Sequence, residues 1–280
     1  MREVEVSLIA AAVRDCCIEA CCYLPEDVRE ALVRARDDEP SELGREVLDI
    51  LLENAAIAAE HEVPICQDTG LAVVFVELGQ DVRLVGGDLG AAVDQGVREG
   101  YAAGYLRKSV VGDPLRRVNT GDNTPAMLTV EIVPGDEVKI IVAPKGAGSE
   151  NMSALAMLTP ADGADGVKAF VVERVIAAGA NPCPPIIVGV GIGGTMDKAA
   201  LLAKKALLRP VGRPNPEVHL AELESAILKE VNASGIGPQG LGGRYMALAV
   251  SIETAPAHIA SLPVAINIQC HAARHAERVI

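Results

Sequence analysis

Apolar residues recur three and four positions apart through Ile9, Ala12, Val13, Cys16, Cys17, Ala20 and Cys21, the spacing of one helix face, and Pro25 ends the run. Two more amphipathic segments follow, 25–37 and 41–60. The second opens on Ser41, whose hydroxyl can accept a free helix N–H, and turns Val47, Leu48, Leu51 and Leu52 to one side. The first 60 residues therefore predict a helical block. After Pro64 the period changes. Residues 71–78 are rich in Val around Phe75, while 127–133 and 138–142 alternate or run apolar on either side of Pro134-Gly135-Asp136. These predict strands, the last two as a hairpin. Between them 88–111 predicts a helix, where Gly96, Gly100 and Gly104 weaken propensity but permit close packing. Farther on, 163–179, 195–208 and 216–232 predict helices, 185–190, 246–254 and 264–270 strands, and 235–243 a glycine-rich loop.

A helical N-terminal block followed by mixed helices and mainly antiparallel strands, without regular strand–helix alternation, predicts an α+β fold. We expect one domain spanning 1–280, with a helical subregion at 1–60 and a mixed region at 61–280. A chain of 280 residues buries enough surface to need neither disulfide nor metal for stability.

Composition narrows the function. With two Phe, four Tyr and no Trp, the core must be aliphatic, and stacking platforms for nucleic-acid bases are missing. A net charge of -13 opposes approach to phosphate backbones and anionic lipid. No apolar run approaches the roughly 18 residues of a membrane span, and 7–13 is too short and acid-flanked for an export signal. The expected location is the cytoplasm. Seven cysteines, odd in number and dispersed, favour thiols over disulfides.

Candidate chemistry then has to be weighed residue by residue. Gly189-Val190-Gly191-Ile192-Gly193-Gly194 fits the dinucleotide pattern G-x-G-x-x-G, but a loop, Arg209 to Pro214, stands where the acidic residue of that fingerprint should end a second strand. Cys16, Cys17, Cys21 and Cys22 share a helix with Ile9 and Val13 and read as small buried hydrophobes. Cys66, Cys183 and Cys270 instead lie where loops meet inferred strands or helices, which leaves both burial and ligation open. Asp68 fits either a turn or an acid/base group, and Arg107 either a solvated helix end or an anion clamp.

The strings ICQDTG, YLRKSVV, NTGDNTPA, PKGAGSEN, NPCPP with GVGIGGT, and INIQCHAARH occur in that order from about Pro64 to His275. The chain resembles the iron-sulfur class I fumarases and tartrate dehydratases over that span, and specifically the alpha subunit or N-terminal half of those enzymes. The resemblance implies a 4Fe-4S cluster on Cys66, Cys183 and Cys270, with one iron open to substrate. It implies Asp68 and His258 as catalytic groups, and Gln67, Arg107, Lys145, Gly146 and Gly148 as substrate-binding positions. It also implies a hydro-lyase that hydrates fumarate to malate, with L-tartrate dehydration as the close alternative. The enzyme would be a hetero-oligomer, active only with a beta subunit that supplies the other half of the site for the C4 dicarboxylate. Two other classes stay open on residues alone: a noncatalytic binding or scaffold domain without a cluster, and a nicotinamide oxidoreductase.

Overall fold

The computed structural model describes all 280 residues. In chain order the elements are β1 (Arg2–Glu5), α1 (Val6–Cys22), α2 (Glu26–Asp38), α3 (Glu42–His61), β2 (Leu71–Gly79), β3 (Val82–Val85), α4 (Leu89–Ala103), β4 (Met127–Val133) and β5 (Val138–Lys145). There follow α5 (Ala147–Glu150), β6 (Ala154–Leu158), α6 (Gly163–Ala178), β7 (Ile186–Gly193), α7 (Met196–Ala206), α8 (Val218–Asn232), β8 (Ala247–Ala255), β9 (Leu262–Gln269) and β10 (Ala276–Val279). The α+β expectation holds. Each four-stranded sheet combines two antiparallel pairings with one parallel pairing. No helix is long and apolar enough to cross a membrane.

Contacts divide the chain into two units, where the sequence suggested one domain. Met1–Leu24, Asn54–Ala147 and Arg274–Ile280 form unit 1, and Pro25–Glu53 with Gly148–Ala273 form unit 2. The three N-terminal helices are therefore not a separate block. α1 belongs to unit 1, where its Ile9, Val13, Cys16, Cys17 and Cys21 are buried with Val74, Val76, Ile140 and Val142 of the sheet.

Unit 1 is built on the sheet β10-β5-β2-β4. The expected hairpin is absent: β2 lies between the two strands, antiparallel to β5 and parallel to β4. The reason is visible in the side chains. Ala72 to Val76 are buried without alternation, which suits a central strand. β4 leaves Val130 and Ile132 exposed, which suits an edge. α4 lies against α1, because a Cβ on Gly96 would stand 2.4 Å from the Ala10 carbonyl and one on Gly100 2.8 Å from that of Arg14. The short parallel pair β1–β3 was not legible in the sequence.

Unit 2 carries the sheet β6-β9-β7-β8. α6 and α8 cover one face, burying Val171, Val175, Ile227 and Val231 over Val188, Val190, Ile252 and Ile266. α7 covers the other through Ala199, Ala203 and Ala265. Its approach uses the glycines of the G-x-G pattern. A Cβ on Gly189 would lie 2.1 Å from the Ala203 carbonyl oxygen, and one on Gly191 2.0 Å from that of Ala199. Gly193 and Gly194, at φ +92 and +66, make the turn into α7. The motif thus serves helix packing and a turn. In the same unit the carboxylate of Glu39, 1% exposed, accepts the backbone N–H groups of Ser41, Arg244 and Tyr245. Ser41 caps α3 as expected, accepting the Gly44 N–H at 3.1 Å.

Gly191→Ala should cost about 3 kcal/mol, the upper range of overpacking, because backbone rather than a flexible side chain blocks the methyl. Urea denaturation checks this; an unchanged midpoint would refute the packing role of the glycine.

Candidate functional site

In unit 1 the loop between α3 and β2 carries Cys66, Gln67, Asp68, Thr69 and Gly70, and its backbone is held from the buried side. The Asp68 carbonyl accepts Arg274 Nη2 at 2.6 Å, and the buried Tyr101 hydroxyl lies 3.0 Å from both the Thr69 and Gly70 carbonyls. Asn123 Nδ2 also donates to the Gly70 carbonyl, at 3.3 Å. Gly70 is obligatory: its φ is +74, and a Cβ would meet the Lys145 carbonyl carbon at 2.5 Å. With the carbonyls turned inward, Cys66 is half-buried and Gln67 exposed. The Asp68 N–H points to Cys66 Sγ at 3.4 Å.

Asp68 Oδ1 accepts the Gly70 N–H at 3.0 Å and Oδ2 accepts that of Ala147 at 2.9 Å. The aspartate is therefore a turn former, and it also ties this loop to the end of β5. Lys145 is buried there, and its Nζ donates to the Gly146 carbonyl at 3.4 Å. The segment with Arg107 joins from another side. Its side chain is exposed, while its carbonyl accepts the Thr69 hydroxyl at 3.1 Å. Asn123, wholly buried at φ +64, accepts the Ser109 and Val110 N–H groups through Oδ1. Beside it, Asp122 is pushed down to about 2 by the Thr124 hydroxyl and amide and by Arg98. Five of the six motifs thus share one hydrogen-bond network, and Asn123, Tyr101 and Arg274 are the members that residue type alone did not single out.

In unit 2 the exposed Cys183, at φ +56, precedes β7, and Cys270 follows β9. Pairing of Ile187 with Gln269 puts both at one end of the sheet, and the His271 N–H donates to the Cys183 carbonyl at 3.2 Å. Gly148 lies against this loop, with its Cβ direction 3.4 Å from the Asn181 carbonyl oxygen. Glu150 accepts from Lys204 Nζ and from Asn267 Nδ2, both at 2.7 Å. His258 is not in this group. It sits in the loop between β8 and β9, so the eight residues of β9, about 25 Å of strand, separate it from Cys270. Its Nδ1 accepts the Ala260 N–H at 3.1 Å, and it lines a cavity of about 660 Å³ with Thr195, Lys198 and Ser261.

The cysteines divide by environment. Cys16, Cys17, Cys21 and Cys22 are fully buried on α1. Burial pushes the Cys16 thiol up to about 11 and that of Cys21 to about 12, and raises Cys17 and Cys22 as well. They are packing groups, poor sources of thiolate. Cys66, Cys183 and Cys270 are the thiols that solvent reaches, each on a loop at a strand end, and none is in a disulfide. No three His, Cys, Asp or Glu side chains surround a single ion-sized point. A three-thiolate 4Fe-4S cluster does not need one, because each sulfur binds a different iron. Each of the three loops, taken singly, carries a donor of the kind such a cluster takes.

The family described as fumarate hydratase (fumerase) matches residues 10–279. A protein of Methanocaldococcus jannaschii, provisionally named L(+)-tartrate dehydratase subunit alpha, is 47% identical over 267 residues, covering 92% of each chain. The L(+)-tartrate dehydratase subunit alpha of Escherichia coli strain UTI89 is 37% identical over 255 residues, 90% of this chain and 84% of that one. The protein of the same name in Shigella boydii is 36% identical over the same extent.

Alkylation of the native metal-free chain at pH 8 should modify Cys66, Cys183 and Cys270 and spare the four thiols of α1, as read by mass spectrometry. The raised α1 thiols also set a pH dependence. Their contribution is full below the ordinary thiol value of about 8.5 and is lost as pH rises toward about 11 and 12, where Cys16 and Cys21 ionise in the folded chain. The denaturant midpoint should hold to pH 8.5 and fall steadily above it; a flat profile to pH 11 would contradict the burial of these thiols.

Proposed function

The chain belongs to the fumarate hydratase family, and from that premise we propose that it is the alpha subunit of a hydro-lyase interconverting fumarate and malate. The observation that carries the proposal is the loop of residues 66–70, whose backbone is fixed from below so that a reachable sulfur, Gln67 and the Asp68 carboxylate stand together beside the Arg107 segment. Cys66, Cys183 and Cys270 would hold the cluster, which, when bound, supplies an iron without protein ligand as a Lewis acid toward the substrate's hydroxyl and carboxylate.

The chain's own groups would do the rest. Arg107 presents a planar fork to a substrate carboxylate, and the Gln67 amide orients the hydroxyl-bearing carbon. Asp68 is the proton-transfer group: each oxygen accepts one backbone N–H and keeps a second lone pair for a proton. Gly146 and Gly148 let the backbone come close to an anion, with Lys145 anchoring the strand end. We assign no catalytic duty to His258 at the Cys183–Cys270 end of its own chain, since β9 intervenes.

The names of the relatives, each a subunit alpha, support a hetero-oligomer with a separate beta subunit, on which we take activity to depend, and seven thiols without a disulfide suit a location in the cytoplasm. The same names favour a second substrate reading, L-tartrate dehydration, whereas the family description favours fumarate. Glycines committed to helix packing speak against the nicotinamide alternative.

The chain reconstituted without oxygen should turn brown and hold about four irons and four sulfides, and Cys66→Ser, Cys183→Ser or Cys270→Ser should each lose them. Paired with its beta subunit it should hydrate fumarate, and Arg107→Lys should raise KM at least about tenfold. A colourless chain that takes up no iron would leave the scaffold reading standing; turnover of tartrate alone would transfer the assignment to the second substrate.

A further inference from the structure

Arg274 is the first residue of the C-terminal segment that returns to unit 1, and it is 4% exposed. A buried guanidinium ordinarily meets an acceptor with each of its arms, because an ion taken out of water without compensation is costly. Here one arm is used: Nη2 donates to the Asp68 carbonyl at 2.6 Å. Nε and Nη1 are buried and have no hydrogen-bond partner. The positive charge is felt nearby, where it partly offsets the upward push of burial on the Cys21 and Cys22 thiols and on Tyr101. Two of those groups line the underside of the 66–70 loop, Cys21 Sγ lying 3.9 Å from the Thr69 carbonyl and the Tyr101 hydroxyl 3.0 Å from the Thr69 and Gly70 carbonyls. A buried cation with two unpartnered nitrogens therefore stands directly beneath the loop that carries Cys66.

We propose that Arg274 is the positioning residue and the internal counter-charge of the Cys66 loop. One arm fixes the loop through the Asp68 carbonyl, and the remaining charge is compensated when a thiolate-held cluster is bound there. This rests on the assignment of Cys66 as a cluster ligand. Its physical content is a bias: in the metal-free chain the cation is buried without its anion, so loading the loop relieves a cost that an apolar residue at 274 would not carry. Lysine keeps the charge but loses the fork, and methionine loses both at similar volume. Replacing a buried charge by an apolar group is often tolerated by the fold, so Arg274→Met and Arg274→Lys should both unfold cooperatively.

Two readouts test it. In the metal-free chain, hydrogen exchange at the amides of 66–70 should quicken about tenfold in Arg274→Met, the scale of one charge-assisted hydrogen bond, with Arg274→Lys intermediate. In the reconstituted chain, iron should pass to a chelator about tenfold faster in Arg274→Met, on the same scale. The cluster's midpoint potential should fall, because removing a positive charge disfavours adding an electron; lysine should restore the potential more than the exchange rate. Unchanged exchange in Arg274→Met overturns the positioning role, and unchanged iron release and potential overturn the counter-charge. If the wild-type chain binds no iron, the ligand assignment falls and the counter-charge with it, while exchange in the metal-free variants still judges the positioning role.

Discussion

The loop of residues 66–70 depends on where its carbonyls point. A connection between a helix and a strand has backbone acceptors to satisfy, and water would serve if they faced outward. Instead Arg274, Tyr101 and Asn123 draw three of them into unit 1, and Thr69 sends its hydroxyl to the Arg107 carbonyl. The consequence is geometric. The carbonyls of Asp68, Thr69 and Gly70 are anchored inside, and the two residues just before them, Cys66 and Gln67, stand half-buried and exposed. Sequence segments more than 200 residues apart are committed to one short loop, which explains why these motifs are rich in residues that never reach a ligand.

This also explains what the sequence could and could not convey. Most helix positions were legible to within a few residues because their burial depends on local period, as in α1 and α3, whereas the helix expected over 88–111 ends at Ala103. Strand partnership was not. β4 and β5 flank Pro134-Gly135-Asp136 as a hairpin would, yet pairing is decided by which strand is apolar on both faces, and β2 wins the central place. The division into two units was hidden for a related reason: it follows long-range packing, with α1 and the last seven residues joining strands from the middle of the chain. For the candidate site, type and company left Cys66, Cys183, Cys270, Asp68 and Arg107 open between structural and chemical roles, and the family resemblance gave those residues and Gln67 their roles. Arg274 and Tyr101 did not stand out, since a buried arginine and a buried tyrosine carry no spacing of their own.

The two glycine-rich stretches make the same point from opposite directions. Gly189-Val190-Gly191 looks like a phosphate-binding turn and is a helix contact, because the atoms within reach of its missing side chains are carbonyls of α7. Gly70, a single glycine in an unremarkable string, is the one that the site requires, since a methyl there would strike the backbone of Lys145 and displace the end of β5 that Asp68 holds through Ala147. A motif's residues identify chemistry only when their neighbours are known.

Charge completes the argument. The chain as a whole is strongly acidic, yet the surroundings of the 66–70 loop hold a cation in the interior, at Arg274, and another at the surface, at Arg107. Whole-molecule repulsion of an anion is long-ranged and screened within about 8 Å at physiological salt, whereas a buried guanidinium acts at close quarters where little water intervenes. The two need not conflict. An acidic exterior keeps the chain soluble, and the local field at the loop is set by the few groups packed against it. The energetic weight of the site then lies in the interior of unit 1, beneath the side chains that would meet substrate, and substitutions there should alter what the loop can hold before they alter whether the chain folds.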